Sequence, residues 1–187
     1  MIIKMSAYKF LTKFCIILLL LSVGSCSTRA ISNRVSAKTV TYLIPENFEG
    51  GVVIVYAQKD GVTPEITENE IVFAIPADGI LKVNIDEKTV SGKPTFFFVG
   101  KNGERTEIEL LYAWGPKYPE GMRSTKDISD DERDNKVFAA IFENGTFNTA
   151  SGVVRFSSFT VGKPKDYKIL IHRTHGKVSD LQRTFPR

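Results

Sequence analysis

The chain has 187 residues, of which 42% are hydrophobic and 25% are charged, and its formal net charge is +4. This length and composition suit one globular domain with a sizeable core, rather than a disordered chain or several domains. Three of the basic residues lie in the first 25 positions, and the 22 basic and 21 acidic residues that follow are nearly balanced. A near-neutral chain offers no electrostatic basis for holding a phosphate backbone, which excludes nucleic acid as a partner.

The first 25 residues have the pattern of a secretory signal peptide. Lys4, Lys9 and Lys13 precede the apolar run 14–21, and no acidic residue occurs in this segment. A basic region followed by a short apolar region is typical of an export signal. Because the run is far shorter than the ~20 apolar residues that span a bilayer, a retained transmembrane helix is the weaker alternative. We therefore predict that residues 1–25 are removed by cleavage.

Cys26 directly follows this segment and is the predicted site of lipid attachment. Val23-Gly24-Ser25-Cys26 resembles a lipobox, in which an aliphatic residue and two small residues precede the cysteine that is acylated. The alternative is an ordinary signal peptide that leaves Cys26 as a free thiol. Cys15 leaves with the signal, so Cys26 would have no internal disulfide partner, and a lone thiol is a liability in an oxidising compartment. Acylation, for example with palmitate, is the preferred interpretation and makes the membrane the first predicted partner.

The lipidated cysteine and a small, polar tether occupy residues 26–38 and precede a single β-rich domain at 39–187. Ser27 stands where some inner-membrane lipoproteins carry an acidic residue, so we expect outer-membrane residence where the source has two membranes. Without the three signal lysines, 22 basic and 21 acidic residues remain, and the segment 151–187 is markedly basic. We expect that segment to dock on the acidic body, with anionic lipid as the alternative.

Period-two alternation and β-branched runs predict strands over most of the domain. Lys101-Asn102-Gly103 separates two of these runs and predicts a hairpin turn. The predicted strands, in chain order, are 40–44, 52–56, 70–75, 80–85, 95–99, 105–110 and 153–161.

A first helix is predicted after residue 129. Ser129 and Glu132 have the spacing of a capping box, and Asn144-Gly145 offers a stop signal. Between them, four apolar residues fall on one helical stripe. The residues of this stripe are Val137, Phe138, Ile141 and Phe142.

A second helix is predicted from Pro164, which suits the first helical position, to a cap at Gly176. Its apolar spacing would bury Tyr167 and Leu170, and a strand at 168–171 is the alternative. The predicted fold class is therefore mainly β (α+β), an antiparallel β-sandwich-like domain with two accessory helices in the C-terminal third.

Four segments carry strand and turn motifs that occur together in a known family. They are 42–56 (YLIPENFEGGVVIVY), 75–81 (IPADGIL), 97–103 (FFVGKNG) and 159–162 (FTVG). In these motifs the chain resembles an uncharacterised family of bacterial envelope lipoproteins, over roughly residues 40–175. The resemblance implies a shared fold and an envelope location, and it implies no activity and no catalytic residue.

The chain carries no motif for catalysis: the Gly-x-Ser-x-Gly, phosphate-loop and dinucleotide patterns are absent, so neither a catalytic residue nor a cofactor is predicted. His172 and His175 would share one helical face, but two ligands are too few for a metal site, and a favourable position at a helix C-terminus is the preferred interpretation. The acidic residues of 127–134 lack the spacing of a calcium loop and indicate a helix start instead. No metal site is predicted.

Three functions are compatible with these observations. The preferred one is a non-enzymatic binding or structural module of the cell envelope, with an envelope protein as partner and no small-molecule substrate inferred. The second is an enzyme that modifies envelope glycans through Glu104, Glu107 or Glu109, because Glu107 and Glu109 alternate onto one face of a strand. The third is a peripheral subunit of a secretion or assembly complex that docks through the basic tail 155–187.

Overall fold

The structure is a computed structural model and describes residues 39–112 and 123–186. Cys26 and the predicted signal peptide and tether lie outside these residues. Within them the chain forms strands β1 (Thr39–Pro45), β2 (Gly50–Val55), β3 (Glu65–Ile66), β4 (Glu70–Ala74), β5 (Ile80–Lys82), β6 (Lys93–Val99), β7 (Arg105–Ile108), β8 (Leu110–Tyr112), β9 (Arg123–Ser124), β10 (Phe138–Thr149) and β11 (Gly152–Gly162). The helices are α1 (Asp130–Asn135) and α2 (Tyr167–Thr184), with single 3₁₀ turns at Glu87–Thr89 and Pro164–Asp166.

The strands form two sheets with different orders. Sheet A has the order β3-β4-β1-β6-β7, and sheet B has the order β5-β2-β11-β10-β8-β9. The predicted hairpin at Lys101-Asn102-Gly103 is confirmed, since β6 and β7 pair in antiparallel register and Gly103 takes the left-handed φ of +84° in the turn. The long hairpin of β10 and β11 forms the centre of sheet B.

The mainly β class and the two helices in the C-terminal third are confirmed, but the purely antiparallel arrangement is wrong. β1 is parallel to both of its neighbours, β4 and β6, and β2 is parallel to β5. Parallel neighbours need a crossover connection. Here the crossover runs through the opposite sheet, because β1 is followed by β2 of sheet B before the chain returns to sheet A. The alternation of apolar residues shows which face of a strand is buried but not its direction.

The space between the two sheets is filled by a cluster of aromatic rings. The rings of Tyr42, Phe96, Phe142 and Phe159 lie 5.0–5.8 Å from one another, centroid to centroid. Tyr42, Phe96 and Phe159 are buried, whereas Phe142 is 40% exposed and closes one side of the cluster. Rings in such contact contribute about 0.5–1.5 kcal/mol per pair beyond the burial of their area.

Helix α2 adds a third layer on the outer face of sheet B. Val53 and Val55 of β2 point away from sheet A and pack with Leu181 of the helix in a separate buried cluster. At Gly51 the helix approaches so closely that a Cβ there would lie 2.8 Å from the Cα of Thr174. Because β2 is covered on both faces, its sequence after Gly51 is a continuous run of β-branched residues.

The first predicted helix is confirmed only in its first turns. Ser129 Oγ accepts from the backbone N–H of Glu132 and the Glu132 carboxylate accepts from the Ser129 N–H, but the helix ends at Asn135. The chain then forms the twelve-residue strand β10. Ala139 packs between the sheets, while Phe138 contacts the cluster under α2, so both faces of this strand are covered. A short apolar run of this kind does not distinguish a helix from a strand that is buried on both sides.

The second predicted helix is confirmed, and the strand alternative at 168–171 is wrong. Tyr167, Leu170 and Thr174 are buried, as the spacing requires. The predicted end at Gly176 is also wrong, since α2 continues to Thr184 with Leu181 as the next buried residue. Packing on sheet B outweighs the ~1 kcal/mol by which glycine disfavours a helix interior.

Candidate functional site

The histidine pair lies on the exposed side of α2. His175 Nε2 is 3.1 Å from Glu143 Oε2, and both side chains are about half exposed. Among residues 39–112 and 123–186, no three His, Cys, Asp or Glu side chains come close enough together to hold a metal ion. Nor does any helix in those ranges combine the length and apolarity needed to cross a membrane.

The acidic candidates Glu107 and Glu109 border a cleft of about 210 Å³, together with Lys93 and Arg123. Glu109 lies where the chain passes from β7 in sheet A to β8 in sheet B. Its carboxylate accepts hydrogen bonds from Arg123 Nη1 at 3.2 Å and from Lys136 Nζ at 2.9 Å. Both oxygens are therefore engaged by cations, whereas Glu107 is exposed on the edge strand β7.

The same cations hold helix α1. Arg123 Nη2 donates to Glu132 Oε2 at 2.8 Å, and Lys136 Nζ is 3.7 Å from Glu132 Oε1. The hydrogen bonds from Arg123 and from the Ser129 N–H lower the pKa of Glu132 from 4.5 to about 2. The Arg123 cluster (Glu109, Arg123, Glu132 and Lys136) thus fastens α1 to the crossover between the sheets, which is a structural role.

A larger groove lies at the C-terminal end of β2, beside the turn of the β10–β11 hairpin. It has a volume of about 520 Å³ and is lined by residues 56–60, Asp86, Thr149, 151–155 and Phe185. We call it the hairpin groove. Its lining comes from four separate parts of the chain, which meet because β2 pairs with β11, the Ala57 N–H bonds to Ile85 beside Asp86, and the chain after α2 reaches the hairpin turn.

The backbone at the end of β2 is held in a strained conformation. Ala57 has φ +56°, in the left-handed region that residues with a side chain rarely adopt. Its N–H donates to the carbonyl of Ile85 at 2.9 Å, and the N–H of Tyr56 donates to the carbonyl of Arg155 at 3.0 Å. Such a conformation costs about 1–2 kcal/mol and persists where surrounding contacts enforce it, which is common at binding sites.

Tyr56 supplies a buried anchor for the groove wall. Its hydroxyl lies 2.9 Å from Ser157 Oγ, and its side chain is 2% exposed. Desolvation by burial raises the pKa of Tyr56 to about 12. The phenol is therefore neutral at physiological pH, and its role is to fix the position of β2 against β11.

The C-terminal residues form the other wall. Pro186 accepts a hydrogen bond from the N–H of Ala150 at 2.8 Å, which ties the end of the chain to the hairpin turn. The Phe185 ring packs edge-on against Phe147, with centroids 5.2 Å apart, and Lys82 Nζ lies 5.8 Å from the Phe185 centroid. An aromatic surface therefore borders the groove on this side.

The charged groups of the groove balance one another. Lys59 and Arg155 are cationic, and Asp60 and Asp86 are anionic. Neighbouring groups add one charge of each sign, since Arg155 Nη1 is 3.5 Å from Glu87 Oε2 and Lys82 Nζ is 3.7 Å from Asp60 Oδ2. The arrangement offers hydrogen-bond donors and acceptors without a net charge, which suits binding of an uncharged polar molecule.

A family model of unknown function, DUF6843, matches residues 36–162. The chain belongs to this family. The expected membership in an uncharacterised family is confirmed at that level, while the individual motifs quoted for it stay a prediction. The match includes all strands of the described residues, and α2 lies beyond it.

Among solved structures, the chain is similar to a protein from Bacillus anthracis described as a candidate lipoprotein, whose crystal structure was determined at 2.75 Å. The TM-score is 0.45 and the identity 22%, over 67% of this chain and 70% of the other. No curated protein matches the chain.

The groove was missed by sequence reasoning. Tyr56 and Arg155, which lie in the part of the chain that matches the family model, were interpreted only as the end of one strand and the start of a basic tail. Phe185 lies beyond the match and carried no signal. Lys59-Asp60-Gly61 was recognisable as a turn, but residues 100 positions apart in sequence give no local sign that they line one groove.

Proposed function

We propose that this protein is a lipid-anchored component of the cell envelope, held outside the cytoplasm by acylated Cys26, and that its body is a non-enzymatic binding or structural module. The observation that carries the proposal is the lipobox-like Val23-Gly24-Ser25-Cys26, placed directly after a basic and then apolar leader. In a source with two membranes, Ser27 favours the outer one.

The position of the body supports this anchoring. β1 begins at Thr39, thirteen residues after Cys26, so the intervening chain can span at most about 47 Å when fully extended. A domain on such a short tether stays within reach of the membrane surface and of the material immediately beyond it.

The described geometry supports a binding role over catalysis. Glu109 is occupied by Arg123 and Lys136, and Glu107 faces solvent on an edge strand, so these carboxylates do not form a pair across an enclosed cleft. The hairpin groove instead presents balanced, hydrogen-bonding side chains on rigid elements. No specific observation favours the glycan-modifying alternative.

The basic tail supports the subunit alternative less than the sequence suggested. α2 packs on β2 and β11, and Lys177 Nζ donates to the carbonyl of Gly51 at 2.8 Å and to that of Asp78 at 2.5 Å. Helix α2 therefore packs on the body through apolar contacts and the hydrogen bonds of Lys177, which leaves this helix face unavailable for a partner.

Replacement of Cys26 by serine tests the anchoring. The sulfur is the atom on which the lipid is built, so we expect Cys26→Ser to abolish labelling by radioactive palmitate and to release soluble protein or leave uncleaved precursor. Cys15→Ser is the matched control and should retain label and sediment with membranes. A Cys26→Ser protein that still carries label would overturn the proposal.

A further inference from the structure

We propose that the hairpin groove binds a segment of a neutral oligosaccharide. The inference deepens the binding role proposed above and rests on it, because glycans are the extended polar polymers that a protein tethered outside the cytoplasm meets. It stands on the size, charge balance and hydrogen-bonding groups of the groove.

The dimensions suit a short stretch of a chain. A volume of about 520 Å³ lies within the range of about 300–1,000 Å³ that is typical of ligand sites. The groove is partly open to solvent beside the hairpin turn, so a ligand can enter it from the surface. A small ligand that requires burial on all sides is a poorer match.

The charge balance points to an uncharged ligand. Lys59 and Arg155 lie in the lining together with Asp60 and Asp86, so the lining has no net charge. A polyanion would meet the two carboxylates and a polycation would meet the two cations, and either juxtaposition is unfavourable. Hydroxyl and amide groups, by contrast, can donate to the carboxylates and accept from the guanidinium and ammonium groups.

Arg155 and Phe185 supply complementary contacts for a sugar ring. The planar guanidinium of Arg155 offers donors in a fixed fork, which can reach two neighbouring oxygens on one ring. It is exposed, and its pairing with Glu87 at 3.5 Å leaves further donors free. The apolar ring of Phe185 is half-buried against Phe147 and can pack against the C–H face of a sugar.

A peptide is the main competitor for the same place. Peptides commonly bind by extending a free sheet edge or by placing apolar side chains in pockets. The pairing of β11 with β2 ends at Phe156, so Gly152–Val154 of β11 have no β2 partner and a short strand edge borders the groove. The charged side chains beside this edge, Lys59, Asp60 and Asp86, favour a ligand with many hydroxyl groups, and a peptide probe separates the two cases.

The walls are held by hydrogen bonds that do not involve a ligand, and such preorganisation reduces the entropic cost of binding. Ala57 is held in its strained conformation by its bond to Ile85, Tyr56 is bonded to Ser157, and Pro186 is bonded to Ala150. These hydrogen bonds connect the four parts of the chain that line the groove to one another or to the neighbouring strand.

Titration calorimetry of the full acylated protein tests the proposal, in a zwitterionic detergent that carries no sugar headgroup. The probes are tri-N-acetylchitotriose, maltotriose, tri-galacturonic acid and tri-alanine. We expect saturable binding of at least one neutral trisaccharide, and binding of the acidic sugar and the peptide that is at least about tenfold weaker.

Two variants of groove residues and one control variant test whether the trisaccharide binds in the groove. Arg155→Met removes the donors and Phe185→Leu removes the aromatic face, and each should weaken trisaccharide binding by about tenfold. Arg173→Met removes a comparable exposed guanidinium on α2, outside the groove, and should leave binding unchanged. All three variants should retain the thermal unfolding transition of the wild type.

The proposal fails if neither neutral trisaccharide binds the wild type, if the acidic sugar or the peptide binds more tightly, or if both groove variants bind as the wild type does. These failures differ from failure of the anchoring. If Cys26 carries palmitate but no trisaccharide binds, only the proposed oligosaccharide site is contradicted. If a trisaccharide binds but Cys26 carries no palmitate, only the proposed lipid anchor is contradicted.

Discussion

At the scale of single residues, Ala57 shows how the fold stores strain beside the groove. Its φ of +56° would suit glycine, yet the sequence has alanine there. The bond from its N–H to Ile85 and the pairing of Tyr56 with Arg155 hold the chain in this conformation. The strain is therefore located at the turn where the chain leaves β2 and begins to line the groove.

Ala57→Gly should relieve this strain. We expect the free energy of unfolding, measured by urea denaturation, to rise by about 1 kcal/mol, because glycine adopts the left-handed region without steric cost. Ala77→Gly is the matched control: Ala77 is exposed in a turn and does not have a positive φ, so glycine there should lower the free energy of unfolding by about 0.4–1 kcal/mol. A loss of stability in Ala57→Gly would show that the methyl group makes contacts worth more than the strain.

At the scale of elements, the contact between β2 and α2 depends on a missing side chain. Gly51 lies directly beneath Thr174, whose hydroxyl donates to the carbonyl of Leu170 within the helix. This packing orients the helix across sheet B and leads the chain toward Phe185. The position of the aromatic groove wall thus depends on the contact between Gly51 and Thr174, which lies near the middle of the helix and eleven residues before Phe185.

Gly51→Ala should weaken this contact. The new methyl group would lie 2.8 Å from the Cα of Thr174, so the helix must shift, and overpacking of this kind costs about 1–3 kcal/mol. Gly176→Ala is the matched control, since nothing lies within 4 Å of its Cβ position and alanine favours a helix interior by about 1 kcal/mol. Thermal unfolding should place the two variants on opposite sides of the wild type, and a stabilised Gly51→Ala would contradict the packing described.

At the scale of the whole molecule, the two sheets are joined by crossovers, and the Arg123 cluster fastens one of them. Glu109 lies at the passage from sheet A to sheet B, and Arg123 and Lys136 connect it to Glu132 on α1. Hydrogen bonds to Ser124 also lower the pKa of Asp127 in the adjoining turn. This corner of the molecule therefore requires ionised carboxylates.

Acid should loosen this corner in a defined pH range. The pKa of Glu132 is 4.5 when unperturbed and about 2 in the folded protein, so its contribution to stability is present above pH 4.5 and is lost as the pH falls toward 2. We expect the urea midpoint of the wild type to fall across this range, and to fall less steeply in Glu132→Gln. Asp134→Asn, at an exposed position on the same helix, should follow the wild type. Equal slopes for the wild type and Glu132→Gln would contradict the coupling.

Local patterns were sufficient for several elements. The hairpin at Lys101-Asn102-Gly103, the capping box at Ser129 and the buried stripe of α2 were all predictable, because each depends on interactions between residues close in sequence. The lipidation of Cys26 is likewise a local signal, since the machinery that recognises it acts on the leader before the domain folds. It stays a prediction that palmitate labelling can test.

Only the tertiary structure decided the directions of the strands, the formation of a strand rather than a helix at residues 138–149, and the position of the groove. An apolar run buried on both faces satisfies a helix and a strand equally until its partners are present, and β8, β11 and α2 are those partners for β10. The groove combines Tyr56, Arg155 and Phe185 from distant parts of the chain. Its balanced charged residues produce no periodic pattern in the sequence. Long-range pairing, rather than any short motif, brings these residues together.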